Sequence, residues 1–438
     1  MTAALVLLLV MFAMLAIGVP VGFAIGGAAM ISMWFCSDLN MVINAQYCYS
    51  GIFSFTVMAI PFFMLAGALM STGGIARRIV DFASALIGFV TGSLGCVTIL
   101  ACMFFGALCG SGMATTSAIG GMMIPEMKRK GYEPSYAATL VCFGGTVGPI
   151  IPPSLSFVLY GASTGVSVTK LFLAGVIPGV MIGVGFILLN IFLCHKSKTD
   201  MRVARKFQYE EVPAGYYIKK RLKLIWTTFR DGVWALLSPV IILGGIYSGI
   251  FTPTEAACVS VVYSIIISMF VYREMNFNAL FKTFLSASIL NGITSFLLGY
   301  STVFSTFMTF EKVPQMISVF LTTVSDNPVV ILLIINVILL VVGCFLDTVP
   351  AIIVMAPMLL PTIQHFGIDP VQFGVIMAVN LAFGLCSPPY GCNLFVGAAV
   401  AKIKMESMFK WIVPFFIVAI ILLMLITYIP KLSLLFLS

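Results

Sequence analysis

The sequence predicts an all-α polytopic membrane protein made of two inverted-topology repeats, each holding a re-entrant helical hairpin and an unwound transmembrane helix. Three observations predict it. Hydrophobic residues make up 61% of the chain and charged residues 9%, with a mean hydropathy of +1.14, whereas a soluble domain carries roughly a quarter charged residues. Pro125, Gly131, Pro134, Gly148, Pro152, Pro153 and Pro178 recur as Pro361, Gly367, Pro370, Gly384, Pro388, Pro389 and Pro414, at a constant offset of 236 residues without a gap. The basic residues, finally, flank the two copies on opposite sides.

The elements follow in chain order. Met1–Phe35, Gly51–Met70, Leu171–Cys194 and Trp411–Pro430 are near-continuously apolar over the roughly 20 residues that a span needs. About 11 to 14 spanning or re-entrant segments fit a chain of this length. Met1–Phe35 has neither a Lys/Arg start nor a small-residue cleavage site, so it is expected to stay as a membrane segment. Residues 1–90 are assigned to scaffold helices and 91–194 to a first transport repeat, with a hairpin at about 91–125 and a broken helix at about 135–165. A basic connector (195–230) and a second scaffold region (231–327) follow. Residues 328–438 form the second transport repeat, its hairpin at about 328–363 and its broken helix at about 371–401.

The net charge of +8 gathers in the connector, at Lys196, Lys198, Arg202, Arg205, Lys206, Lys219, Lys220, Arg221, Lys223 and Arg230. Basic loops stay cytoplasmic, so this is an orientation signal and not a nucleic-acid patch. Tyr216–Phe229 mixes Lys and Arg with Leu, Ile and Trp226; it suits an amphipathic helix at the lipid surface or a plain connector. The same rule orients the repeats. Lys128-Arg129-Lys130 follows the first hairpin, where the second repeat has Gln364-His365-Phe366; conversely Lys402, Lys404 and Lys410 close the second repeat, where the first has only Lys170. Equivalent loops therefore fall on opposite faces.

Breaks occur at Gly110–Thr116 and Asp347–Pro350 in the hairpins, and at 144–154 and 386–393 in the crossing helices. A broken helix frees N–H and C=O groups, and non-helical backbone at membrane depth must line a cavity or be buried in protein. The carbonyls at helix C-ends can replace water around Na⁺, while N-ends suit an anion. Side-chain oxygens stand in the breaks: Ser111, Thr115, Thr116 and Thr146 in the first repeat, Asp347, Thr348, Ser387 and Asn393 in the second. Matched breaks in two repeats are how a secondary transporter builds a midplane site.

At these residues the chain resembles the large membrane subunit (DctM-like, M subunit) of tripartite ATP-independent periplasmic transporters. The motifs are Pro61–Gly67, Gly110-Ser111-Gly112 with Ala114-Thr115 and Ala118-Ile119-Gly120, Gly148–Ser154, Ala174–Gly179, Thr252-Pro253-Thr254-Glu255-Ala256-Ala257, and Pro388-Pro389 with Gly391 and Asn393-Leu394-Phe395. The resemblance implies an elevator-type fold like that of the ion-transporter superfamily, coupled to Na⁺, with no other cofactor and no enzymatic activity. It also implies two partners, a small four-helix membrane subunit (Q), here expected as a separate chain, and a periplasmic substrate-binding protein (P). The location implied is the bacterial inner membrane. Na⁺ sites map onto Ser111, Gly112, Thr146, Gly148, Pro149, Gly343, Asp347, Thr348, Ser387, Pro388 and Gly391, and substrate contacts onto Thr115, Thr116, Asp347 and Asn393. The implied cargo is a small organic anion: a C4-dicarboxylate, a sialic acid, or another carboxylate or sulfonate. A stand-alone Na⁺/organic-anion symporter of the same repeat design is the alternative.

Asp347 admits two roles. It matches Ser111 at the repeat offset, so one carboxylate has been placed in apolar sequence, which marks a functional position; it is also well placed to cap the following helix. Thr252 and Glu255 read as a capping box. No Lys or Arg falls within the four broken segments; Lys282, Lys312 or Arg230 would have to reach in from outside. Eleven cysteines show no CxxC or Cys/His cluster and read as small packing residues, giving no transition-metal site.

Overall fold

The computed structural model describes residues 2–37, 40–88, 90, 92–196 and 214–437, and among these there is no strand. Twenty α-helices are described: α1 (Thr2–Ala16), α2 (Val21–Cys36), α3 (Val42–Ile52), α4 (Ala59–Thr72), α5 (Ile75–Ile87), α6 (Ser93–Cys109), α7 (Gly112–Arg129), α8 (Pro134–Gly145), α9 (Leu155–Thr164), α10 (Val168–Lys196), α11 (Ala214–Tyr247), α12 (Pro253–Ile266), α13 (Phe277–Phe310), α14 (Val313–Val324), α15 (Pro328–Phe345), α16 (Thr348–His365), α17 (Pro370–Gly384), α18 (Cys392–Ala401), α19 (Phe409–Tyr428) and α20 (Lys431–Leu434). Seven helices among the described residues are long and apolar enough to cross a bilayer, and seven shorter apolar helices accompany them. Half-length helices are what interrupted spans leave behind.

The duplication is visible in the element boundaries. Moved by 236 residues, α7 coincides with α16 end for end, and α6, α8 and α9 fall on α15, α17 and α18 to within a few residues. The repeat reaches further than the sequence suggested: α2 falls on α12, α3 and α4 fall within α13, and α5 falls on α14. Contacts are reciprocal as well. Helix α7 packs on α18 and its counterpart α16 on α9; α10 meets α17, and α8 meets α19. Each repeat touches in the other the equivalent of what touches it, the signature of two copies related by a two-fold axis.

The run Met1–Phe35, expected as one membrane segment, is divided into two short apolar helices. Gly18, at φ 86°, and Pro20, immediately before α2, break the run, and α1 and α2 pack on each other. Pro at the start of a helix and Gly in the left-handed region are standard stop and start residues. Gly51–Met70 is likewise interrupted, between Ile52 and Ala59. Of the connector, residues 197–213 lie outside the described residues. Residues 214–247 form one helix, so its spanning part, Leu222–Tyr247, is continuous with the basic stretch before it.

A large apolar core joins the two repeats, with Phe143, Phe186, Phe383 and Phe415 fully buried and the Phe186 ring in contact with the other three. Smaller clusters hold α1, α2 and α13 together, and α4, α5, α11 and α12. Helices α4 and α5 meet at 67°. Helix α5 buries Ile75, Ala76, Ile79 and Ala83 on one face and exposes Arg77 and Asp81 on the other.

Candidate functional site

In the first repeat the chain turns at Gly110, whose φ of 63° closes α6. Ser111 then adopts an extended conformation, and its hydroxyl accepts from the Ala114 N–H at 3.5 Å. A Cβ at Gly110 would lie 2.8 Å from the Leu155 nitrogen, so the tip seats on the break of α8–α9. Thr115 donates to the Ser111 carbonyl at 2.8 Å and lies 3.1 Å from the Cys109 sulfur. Thr116 is buried, and its hydroxyl has no partner. Opposite it is Gly145: a Cβ there would stand 2.1 Å from Thr116 Oγ1 and 2.9 Å from the Gly112 carbonyl oxygen. Only glycine lets these backbones approach so closely.

Asn393 reaches this centre from the second repeat. Its Nδ2 donates to the Cys142 carbonyl at 3.4 Å, and the Cys142 thiol donates to the Asn393 carbonyl at 3.1 Å. A Cβ at Gly112 would lie 3.2 Å from Asn393 Nδ2, and Asn393 Oδ1 is buried without a partner. Thr116 Oγ1 thus borders Gly145 and the Gly112 carbonyl, the Asn393 amide approaches Gly112 through Nδ2, and Thr116 Oγ1 and Asn393 Oδ1 are both buried without a hydrogen-bond partner. A buried oxygen without a donor costs about 1–3 kcal/mol, and most such groups in folded proteins find a partner. The oxygens at this contact are neutral and hard, which suits an alkali cation better than a transition metal.

Other expected ligands have different surroundings. The Thr146 hydroxyl, just past the end of α8, donates back to Phe143 O at 2.7 Å. Gly148 packs against Gly106, where a Cβ would come 2.6 Å from the Gly148 Cα. The Pro149 carbonyl accepts from the Ser154 hydroxyl, and the same hydroxyl caps α9 by accepting from Phe157 N–H at 3.4 Å.

The second repeat repeats the geometry with other chemistry. Gly343 packs on Gly384 and the Leu381 backbone. Asp347 caps α16, accepting from Thr348 N–H at 2.7 Å and from the Thr348 hydroxyl at 3.3 Å, so its capping role is present. The Cys344 carbonyl accepts from Gly391 N–H at 3.1 Å, and the Cys344 thiol donates to the Ser387 carbonyl at 3.2 Å. Ser387 itself donates weakly to Phe383 O at 3.4 Å. Pro388, Pro389 and Tyr390 are exposed, and the Tyr390 ring lies 5.0 Å from that of Phe395.

Sequence reasoning missed the role of the thiols. Cys142 and Cys344 stand beside the breaks and donate to the Asn393 and Ser387 carbonyls; their position a few residues before each break was the available signal. Thr252 and Glu255 form the expected capping box, with Thr252 N–H to Glu255 at 2.8 Å and Glu255 N–H to Thr252 at 3.3 Å. Between the scaffold helices α3 and α13 and the repeat helices α9 and α16 lies a cavity of about 310 Å³ whose lining includes Ser50, Ser54, Ser163, Thr302, Ser305 and Thr306. A second cavity, of about 440 Å³, shares Ser54 and Ala162 with it and runs out to Thr252 and Thr254. Neither Lys282, Lys312 nor Arg230 lines either cavity.

Paired broken helices, repeats in reciprocal contact and a hydroxyl-lined cleft define a multi-pass membrane transport protein. The chain belongs to the DctM component of the tripartite ATP-independent periplasmic transporters, matching that family over residues 8–432. It is 41% identical to the uncharacterized protein YgiK of Salmonella typhimurium, over 96% of this chain and 94% of the relative. It is 40% identical to the C4-dicarboxylate large permease protein DctM of Pseudomonas aeruginosa, over 87% and 86%. With the isethionate permease protein DctMQ of Oleidesulfovibrio alaskensis it shares 37% identity, over 96% of this chain and 64% of the relative. The fold is similar to that of the YdaH transporter of Alcanivorax borkumensis, with a TM-score of 0.54 at 12% identity and 91% of each chain covered. The relatives DctM and DctMQ are named as permease proteins, not as enzymes.

Proposed function

We propose that the chain is the large permease subunit of a bacterial inner-membrane uptake system that carries a small organic acid by Na⁺ coupling and an elevator motion. The observation that carries the Na⁺ assignment is the pair of buried, unpartnered oxygens, Thr116 Oγ1 and Asn393 Oδ1, on side chains that come from different repeats to the Gly112–Gly145 contact. A cation there would join α7 to α18 and so fix the start of α18 beside the Asp347 tip, where the cargo would sit. Ion and cargo would then stabilise one arrangement together, which is the thermodynamic content of coupling. The elevator reading is supported by the hydroxyl-lined cleft along the scaffold boundary, which leaves that boundary less tightly packed than the core.

The cargo class follows from the relatives, whose names specify a C4-dicarboxylate and isethionate: a small carboxylate or sulfonate. The partners are a small membrane subunit and a periplasmic binding protein, in keeping with the tripartite family description and with the combined permease name DctMQ. The test is reconstitution. In proteoliposomes holding this chain, its small subunit and the loaded binding protein, uptake should require an inward Na⁺ gradient and should vanish when K⁺ replaces Na⁺ at constant pH. Uptake unaffected by that replacement would remove the Na⁺ assignment, and concentrative uptake by the isolated chain would favour the stand-alone symporter.

A further inference from the structure

Away from the broken helices, the polar face of α5 and the middle of α11 border an open cavity of about 450 Å³ whose lining includes Arg77, Asp81, Arg230, Asp231 and Trp234. One wall of it is fixed. Arg78 pairs with Glu274 at 2.7 Å and lies 3.6 Å over the Tyr272 ring, and the Tyr272 hydroxyl accepts from Ala235 N–H at 3.1 Å. The other charges remain uncommitted: Arg77 and Arg230 make no ion pair with Asp81, Asp231 or any other described residue. Two guanidinium groups and two carboxylates therefore face one space without neutralising each other.

The surroundings are those of a bilayer interface. Helix α11 is 34 residues long, about 51 Å at 1.5 Å per residue, against a hydrocarbon core of roughly 30 Å, so its first turns emerge among the headgroups. Trp226, Arg230 and Trp234, spaced four apart, share one face of it, and both tryptophans are exposed; Trp at that level is the usual interfacial anchor. Helix α5, turned by 67° from α4, has the two-faced pattern of an interfacial helix. The rings of Phe82 and Phe229 (6.0 Å) and of Trp226 and Phe229 (6.1 Å) form an apolar shelf beside the charges.

We infer that this cavity is a binding site for a phospholipid whose headgroup carries both a phosphate and a primary ammonium, the phosphatidylethanolamine type. Guanidinium groups bind phosphate oxygens through paired N–H donors; Asp81 and Asp231 accept from the ammonium, and the aromatic shelf meets the acyl chains. A quaternary ammonium has no N–H for those carboxylates, and a headgroup without a cation leaves both of them facing phosphate, so the site discriminates against phosphatidylcholine and phosphatidylglycerol.

The test is lipid retention by the full chain purified in detergent, followed by native mass spectrometry after addition of equal amounts of the three lipids. Phosphatidylethanolamine should be retained at least tenfold over the other two, and Arg77→Gln/Arg230→Gln should abolish that retention. Asp81→Asn/Asp231→Asn should keep the phosphate contact and shift the preference to phosphatidylglycerol. Soluble phosphoethanolamine or inorganic phosphate at the same concentration should not displace the lipid. Equal retention of the three lipids, retention unchanged in the arginine variant, an unchanged preference in the aspartate variant, or displacement by the soluble phosphates would each overturn the assignment.

Discussion

At the break of the first repeat Pro152, Pro153 and Ser154 are buried; at the equivalent positions of the second, Pro388, Pro389 and Tyr390 are exposed. The tips differ in the same sense. The first carries Ser111, followed by the buried hydroxyls of Thr115 and Thr116; the second carries a carboxylate, Asp347, followed where those threonines would be by Ala351 and Ile352. Asn393, which completes the first centre, is Phe157 in the other copy. One duplicated backbone thus supports a closed centre of neutral oxygens and an open one with a charge and two aromatic rings. Backbone breaks supply the geometry twice, and the side chains decide what each copy does.

The largest expected effect breaks the closed centre. Gly145→Ala puts a methyl 2.1 Å from Thr116 Oγ1, and overpacking of about 3 kcal/mol corresponds to a loss of about 100-fold in Na⁺-driven uptake. The volume-conserving change at the equivalent position, Leu381→Met, should leave the Na⁺ dependence as it is. Next, Thr116→Val removes one of the proposed cation ligands with little change of shape. Losing an interaction of roughly 1.5 kcal/mol with a charged group should raise the half-saturating Na⁺ concentration about tenfold, while Ile352→Val should not move it. Asp347→Asn keeps a capping side chain and removes the charge; a several-fold rise in substrate KM at unchanged Na⁺ half-saturation is expected. Smallest is a contrast in access. Tyr390→Cys replaces a residue that is 48% exposed, and Ser154→Cys its counterpart at 0%, so a water-soluble maleimide should add label over the parent chain only in the former.

Much of this comparison could be read from the sequence. The seven matched Pro and Gly positions locate both repeats because those residues act through the local backbone, where neighbours in sequence decide the outcome. The tips at Ser111 and Asp347 were legible for the same reason. The approach of Asn393 to Gly112 was not, since it joins different repeats and depends on how α7 packs on α18. Nor was the duplication of the scaffold legible: there α3 and α4 are separate helices while their counterpart α13 is continuous, and no Pro or Gly keeps register to mark the relation. The Ser154–Pro149 bond was hidden in a motif whose other residues drew attention to the backbone.

The claim that most needs testing is that a single cation site spans the two repeats. Thermal unfolding of the purified chain in Na⁺ and in K⁺ tests it without partners or cargo, since a bound cation stabilises the folded state by mass action. The account predicts that Na⁺ raises the Tm of the parent chain above its value in K⁺. Thr116→Val and Asn393→Ala should each abolish that difference, the double variant should behave no worse than either, and Asp347→Asn should retain it. A Na⁺-specific rise in Tm that survives intact in Thr116→Val/Asn393→Ala would contradict the account.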